Sequence, residues 1–222
     1  MAVKIKICGV RTRTIAEAAI EAGADYLGLV FFPPSSRNLS FDEGAALVKA
    51  IDERVPAVAV LVDPDDELID RIVTTVKPDY LQLHGSESPE RVAAIKVRSK
   101  RPVIKAVPVA RAEDVEQAGS YVEIADIILF DAKPPRGSKV PGGHGEAFDW
   151  SLLSEPDVPR PFGVSGGLDA GNVLEAIAVT SPDLVDVSSG VESAPGVKEA
   201  ELVRSFVNIA KLSEPEERQA AQ

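Results

Sequence analysis

Cysteine is almost absent from this chain. Cys8 is the only one among 222 residues, so no intrachain disulfide can form and a zinc site built on several cysteines is excluded. Histidine is nearly as scarce. His84 and His144 lie far apart in sequence, which argues against a dedicated His-rich metal site. Basic residues are in deficit, with 24 Lys and Arg against 35 Asp and Glu and a net charge of −11. A broad nucleic-acid surface needs clustered basic side chains and is not expected. A small anionic ligand stays compatible, because a local pocket can be positive on an acidic protein. No apolar run approaches a membrane span. The start, MAVKIKIC, has no long apolar core of a secretory leader. No membrane partner and a cytoplasmic location are the expectations.

What is present is ordinary for a globular protein, with 45% hydrophobic residues. Short β-branched runs alternate with amphipathic stretches. Strands are predicted at 3–8, 26–32, 57–63, 80–84, 103–109, 127–132, 162–165 and 184–188. Helices are predicted at 14–22, 41–52, 65–76, 88–98, 112–120, 149–154, 170–179 and 197–212. Strict alternation implies parallel strands joined by right-handed crossovers. Eight units close a barrel, so the reading is one (β/α)8 TIM barrel over 1–212, with a polar tail at 213–222. An open doubly wound sheet is the structural rival, and it usually has fewer strands. The long Pro- and Gly-rich connection 133–148 follows strand six, on the end where such barrels carry their chemistry.

Alternate residues of a barrel strand face the interior and the helices. In strand one, Ile5 and Ile7 share one parity, and Lys4, Lys6 and Cys8 the other. In strand four, Leu81 and Leu83 oppose Gln82 and His84. In strand eight, Val185 and Val187 oppose Asp186 and Ser188. The apolar sets suit the helix layer, so the polar sets point inward. Asp131 ends strand six. Leaving such groups buried and unpaired costs about 1–3 kcal/mol each, so a paired or ligand-facing cluster is the cheaper arrangement. Two small-residue turns follow strands seven and eight: Ser165 with Gly166 and Gly167, and Ser188 with Ser189 and Gly190. Loops in these two positions form the recurrent phosphate site of the fold, although glycines can also merely turn the chain.

Several spaced motifs then fall in register. They are KICG at 6–9, FPPSSR at 32–37, LQLHG at 81–85, LFDAK at 129–133, and GGHG at 142–145 with FDW at 148–150. SGGL at 165–168, DVSSGVE at 186–192 and Pro195-Gly196 complete the set. Together they span residues 6 to about 200, and the chain resembles the phosphoribosylanthranilate isomerases of tryptophan biosynthesis. The resemblance implies an Amadori rearrangement of a phosphorylated aminoaldose to an aminoketose, without metal or redox cofactor. It implies Cys8 as general base, Asp131 as general acid and Arg37 as the partner of the anthranilate carboxylate. Lys6, His84 and Asp186 are expected to support substrate binding, with Lys6 the cation beside the Cys8 thiol. A free thiol near pKa ~8.5 and a carboxyl near ~3.9 both need help to serve as base and acid at neutral pH. The resemblance leaves open whether the protein is a monomer or a homodimer.

Other readings of the same residues stay open at this point. Cys8 could be an inert buried thiol, Arg37 a solvated charge, and His84 a satisfied internal histidine. His144 stands where the family often carries threonine. Trp150 fits core packing or a helix start better than stacking on substrate. A related barrel isomerase of histidine synthesis would use paired aspartates, whereas strand one here ends in cysteine. A non-catalytic metabolite-binding barrel would have no need of Cys8 and Asp131.

Overall fold

The computed structural model describes residues 2–134, 137, 138, 140–143, 145, 147–154, 158 and 161–213. Eight parallel strands close a barrel in sequence order: β1 (Lys4–Cys8), β2 (Tyr26–Val30), β3 (Ala57–Leu61), β4 (Tyr80–Leu83), β5 (Val103–Val109), β6 (Ile127–Ala132), β7 (Phe162–Val164) and β8 (Leu184–Val187). β8 pairs back to β1, with Lys6 opposite Asp186. The helices are α1 (Arg13–Ala22), α2 (Phe41–Ile51), α3 (Asp66–Arg71), α4 (Pro89–Ser99), α5 (Ala112–Ala118), α6 (Val173–Thr180) and α7 (Ala200–Lys211). Between β6 and β7, the helical piece expected at 149–154 is a single 3-10 turn, Trp150–Leu153.

Local chemistry starts and stops these helices. Thr12, Ser40, Asp65 and Ser88 each accept a first-turn N–H, and Ser40 with Glu43 forms a reciprocal capping box. Pro89 opens α4, where its missing N–H costs nothing. In α7, Val203, Phe206, Val207 and Ala210 form one apolar stripe packed on the barrel core. Two expected helices change character near their ends. α3 gives way to a π-turn at Ile72–Val76, and α5 to a 3-10 turn at Gly119–Tyr121. The expected helix at 170–179 begins only at Val173. The one at 197–212 begins at Ala200, because Val197 and Lys198 form a strand, β10 (Val197–Lys198), paired antiparallel with β9 (Glu192–Ala194). The Pro195-Gly196 turn joins the two, and Gly196 has φ 82°.

Strand parity divides the interior as alternation requires. Ile5, Ile7, Leu27, Leu29, Leu81 and Leu83 pack outward against the helices. Val58, Ile104, Leu129 and Leu184, with Tyr26 and Tyr80 beside them, form an inward-facing apolar cluster. Above it the inward positions turn polar.

The eight-unit alternation conceals a two-unit period. Asp25, Asp79, Asp126 and Asp183 stand immediately before β2, β4, β6 and β8. Their carboxylates accept from Ile5 N (2.9 Å), Ala57 N (2.8 Å), Val103 N (2.7 Å) and Phe162 N (3.0 Å), at the starts of the odd strands. Their own N–H groups donate back to the carbonyls of those same four residues at 2.8–2.9 Å. Each clamp ties an odd strand to the even strand that follows.

Candidate active site

A cavity opens at the C-terminal end of the strands. Cys8, His84, Asp131 and Asp186 from four strand ends line it, together with Arg37. Val30 and Val60 form an apolar patch against Cys8, with Phe32 packed on it. From the loop after β6, Val140 to Gly143 contribute to its wall.

Cys8 is buried at the end of β1, and Lys6 lies wholly buried beneath it. The Lys6 ammonium bonds Asp186 Oδ2 at 2.8 Å. Gly28, opposite Cys8 on β2, makes this possible. A Cβ there would stand 2.9 Å from the Cys8 sulfur and 3.2 Å from Lys6 Nζ. Burial raises the Cys8 thiol above its ordinary range, and the Lys6 and Lys198 ammoniums only partly offset this. Burial also works against the Lys6 charge, but Asp186 and Cys8 outweigh it and hold the ammonium above its usual value. Lys6 is therefore a buried counter-ion below the cavity floor. Lys6, expected among the substrate-binding groups, does not line the cavity, since the space left by Gly28 lets the side chain pack inside the barrel and meet Asp186. The second oxygen of Asp186, Oδ1, is buried and has no partner among the described residues.

Asp131 Oδ2 lies 2.9 Å from His84 Nε2, and its Oδ1 accepts from Ala132 N at 3.0 Å. His84 Nδ1 in turn lies 3.2 Å from Gln82 Nε2. Gly142 caps this chain: a Cβ there would come within 2.6 Å of Asp131 Oδ2 and 3.0 Å of the His84 ring.

Arg37 is only 8% exposed. Its Nε and Nη2 donate to the two carboxylate oxygens of Glu192, each at 2.8 Å. Lys198 Nζ donates to Glu192 Oε1 and to the Ser188 carbonyl, both at 3.0 Å. Burial pushes Glu192 upward, but Arg37 and Lys198 more than reverse it and hold the carboxyl below its ordinary value. Two glycines grant Arg37 its place. A Cβ on Gly9 would stand 2.6 Å from Arg37 Cδ, and one on Gly143 would stand 2.5 Å from Nη1.

Gly166, Gly167, Ser188 and Ser189 line one side of the cavity. Gly166 and Gly167 both take positive φ, 84° and 63°, and among the described residues neither N–H has a hydrogen-bond partner. Ser188 Oγ donates to the Cys8 carbonyl at 3.1 Å, tying the β8 turn to the end of β1. Gly190 does not border the cavity. A Cβ there would meet the Leu168 carbonyl at 2.0 Å, so this glycine lets the two turns touch.

The family model described as N-(5'phosphoribosyl)anthranilate (PRA) isomerase matches residues 5–209. The chain belongs to this family. An N-(5'-phosphoribosyl)anthranilate isomerase of Rhodopseudomonas palustris (strain HaA2) is 51% identical over 214 residues, covering 96% of this chain and 98% of the relative. The crystal structure of the phosphoribosyl anthranilate isomerase from Thermotoga maritima superposes with a TM-score of 0.85 at 38% identity, over 94% of this chain and 98% of that one. A phosphoribosyl anthranilate isomerase solved in complex with reduced 1-(o-carboxyphenylamino)-1-deoxyribulose 5-phosphate matches at 37% identity and TM-score 0.81, with the same coverage. The activity is isomerisation of N-(5'-phosphoribosyl)anthranilate in tryptophan biosynthesis.

Within this isomerase the strand-end residues expected from parity converge on one cavity. Parity reasoning also marked Gln82 as inward but gave it no task. Glu192 was visible in the DVSSGVE motif but had no role, and Lys198 was missed, because a β9–β10 hairpin brings them back to Arg37 and no periodic signal announces so short a hairpin. Gly142 and Gly143 were visible as a motif, but their closeness to Asp131 and Arg37 depends on how the loop folds. Trp150 opens the 3-10 turn and packs against the core, as expected. His144 and residues 214–222 lie outside the described residues.

Proposed function

We propose that Cys8 and Asp131 carry the isomerisation as general base and general acid. Asp131 gives a proton to the ribose ring oxygen, the C1–oxygen bond breaks, and the ring opens to an iminium ion. The Cys8 thiolate then removes the C2 proton. The electron pair moves into an enolamine, which tautomerises to the ketone of 1-(2-carboxyphenylamino)-1-deoxyribulose 5-phosphate. The observation that carries this reading is that both groups border a single cavity, one from β1 and the other from β6. The buried Lys6 ammonium favours the thiolate form of Cys8, and its partner Asp186 borders the same cavity.

The remaining assignments follow the charges. Arg37 keeps Nη1 outside its bonds to Glu192, which suits an anthranilate carboxylate. The unpartnered amides of Gly166 and Gly167, with Ser188 and Ser189, suit a phosphate; Gly190 serves by letting their turns meet. His84 contributes through Asp131. All these residues come from one chain, so the chemistry is complete in a monomer and compatible with a homodimer. Residues 1–212 form the catalytic domain and 213–222 a polar tail. A phosphorylated small-molecule substrate and a lone cysteine fit a cytoplasmic enzyme.

The test follows the loss of substrate fluorescence with the wild type, Cys8→Ala and Asp131→Asn. Each variant is expected to lose about 10²–10⁴-fold in kcat. Both should still bind reduced 1-(o-carboxyphenylamino)-1-deoxyribulose 5-phosphate. Near wild-type turnover in either variant overturns its assignment.

A further inference from the structure

Asp131 does not stand alone. Behind it runs a chain of side chains, His84 and then Gln82, that borders the cavity at one end and ends inside the barrel. We propose that Gln82 locks His84 in the Nε2–H tautomer, so that the ring donates a hydrogen bond to Asp131 Oδ2 and steadies the carboxylate that forms when Asp131 gives up its proton. This deepens the assignment of Asp131 as the acid and rests on it.

The argument begins with Gln82. It is fully buried on β4. Its Nε2, which can only donate, faces His84 Nδ1 at 3.2 Å, so Nδ1 must accept and carry no proton. A neutral imidazole then holds its proton on Nε2, which lies 2.9 Å from Asp131 Oδ2. The other end of the amide, Gln82 Oε1, is buried without a partner among the described residues. Turning the amide over would leave the two-proton end unpartnered there instead, a worse exchange than one idle carbonyl. The observed orientation is thus the cheaper one, and it dictates the tautomer.

The consequence for Asp131 concerns charge. Before reaction the acid is neutral; after ring opening it is an anion in a confined site. A donor already aimed at Oδ2 needs no reorganisation when that charge appears, which is the condition for stabilising a transition state more than the ground state. The opposite tautomer would set the lone pair of Nε2 against the carboxylate oxygen. Gly142 fits this arrangement, since any side chain there would strike both Oδ2 and the imidazole ring. His84 and Gln82 are therefore positioning residues for Asp131 and do not themselves transfer the substrate's protons.

The experiment is nitrogen-15 NMR of the histidine rings at neutral pH, combined with kinetics. The chain has two histidines, so a His144→Asn variant assigns the His84 signals. In the wild type, a pyridine-type Nδ1 and a pyrrole-type Nε2 are expected. Gln82→Leu should lose this single tautomer and about tenfold in kcat, with KM within about twofold. His84→Ala should lose about 100-fold in kcat, and His84→Gln, whose amide can still donate, should recover about tenfold of that loss. A wild-type spectrum with the proton on Nδ1, or an imidazolium, overturns the proposal, as does full kcat in Gln82→Leu. Turnover retained by Asp131→Asn would remove the acid assignment while leaving the wild-type spectrum as described, so the two failures are distinct.

Discussion

Lys6 and Asp186 are each tolerable inside the barrel only because of the other. Removing one charge leaves its partner buried and uncompensated, so Lys6→Met is expected to destabilise the protein by about 3–5 kcal/mol in urea unfolding. The double change Lys6→Met with Asp186→Leu should recover most of that loss, because two apolar side chains fill the same volume without desolvating an ion. Activity should not return with stability. Without the Lys6 ammonium only Lys198 still opposes burial at the Cys8 thiol, and the rising limb of kcat/KM with pH should move further upward than in the wild type. Much of this cluster was legible in the sequence, because a period of two puts Lys6, Cys8, Gln82, His84 and Asp186 on the inward side. What parity could not reveal is depth. It does not distinguish a lysine on the cavity wall from one below the floor, and only the missing side chain at Gly28 decides that.

Among the elements, the strands were the most readable, since each is a short apolar run bounded by turn residues. The helices were less so at their ends, where packing against neighbours shortens α3 and α5 into tighter or wider turns. The β9–β10 hairpin escaped notice because Val197 and Lys198 also fit the helical stripe of the residues that follow. Yet it is this hairpin that carries the Glu192–Lys198 pair to Arg37. Glu192 is held below the ordinary glutamate value of 4.5. A carboxyl with a depressed folded-state value stabilises the fold above its unfolded value, and that stabilisation is lost as pH falls through the folded value. Thermal unfolding of the wild type and Glu192→Gln should therefore differ most above pH 4.5, with the wild type more stable. The gap should close as the solution is made more acidic than that.

At the scale of the whole molecule, a net charge of −11 would seem to repel a substrate that bears both a phosphate and a carboxylate. The distribution answers this. Around the cavity three cations, Lys6, Arg37 and Lys198, meet the two carboxylates of Asp186 and Glu192, whereas Lys4, Arg54 and Arg98 pair with acidic neighbours on the outside. The closed barrel was inferable from eight alternating units, but the pairing of its strands by Asp25, Asp79, Asp126 and Asp183 was not. An aspartate before a strand looks like any turn residue until the neighbouring strand end is seen to donate to it.

That fourfold device makes the cylinder a ring of four staves, each fastened at its foot, with no such aspartate clamp at the joints between staves. A polypeptide cut at Gly137, between the third and fourth staves, should reassemble from its two halves when they are co-expressed. A cut at Ser120, which separates Val103 from Asp126 within one stave, should yield far less active complex on a sizing column.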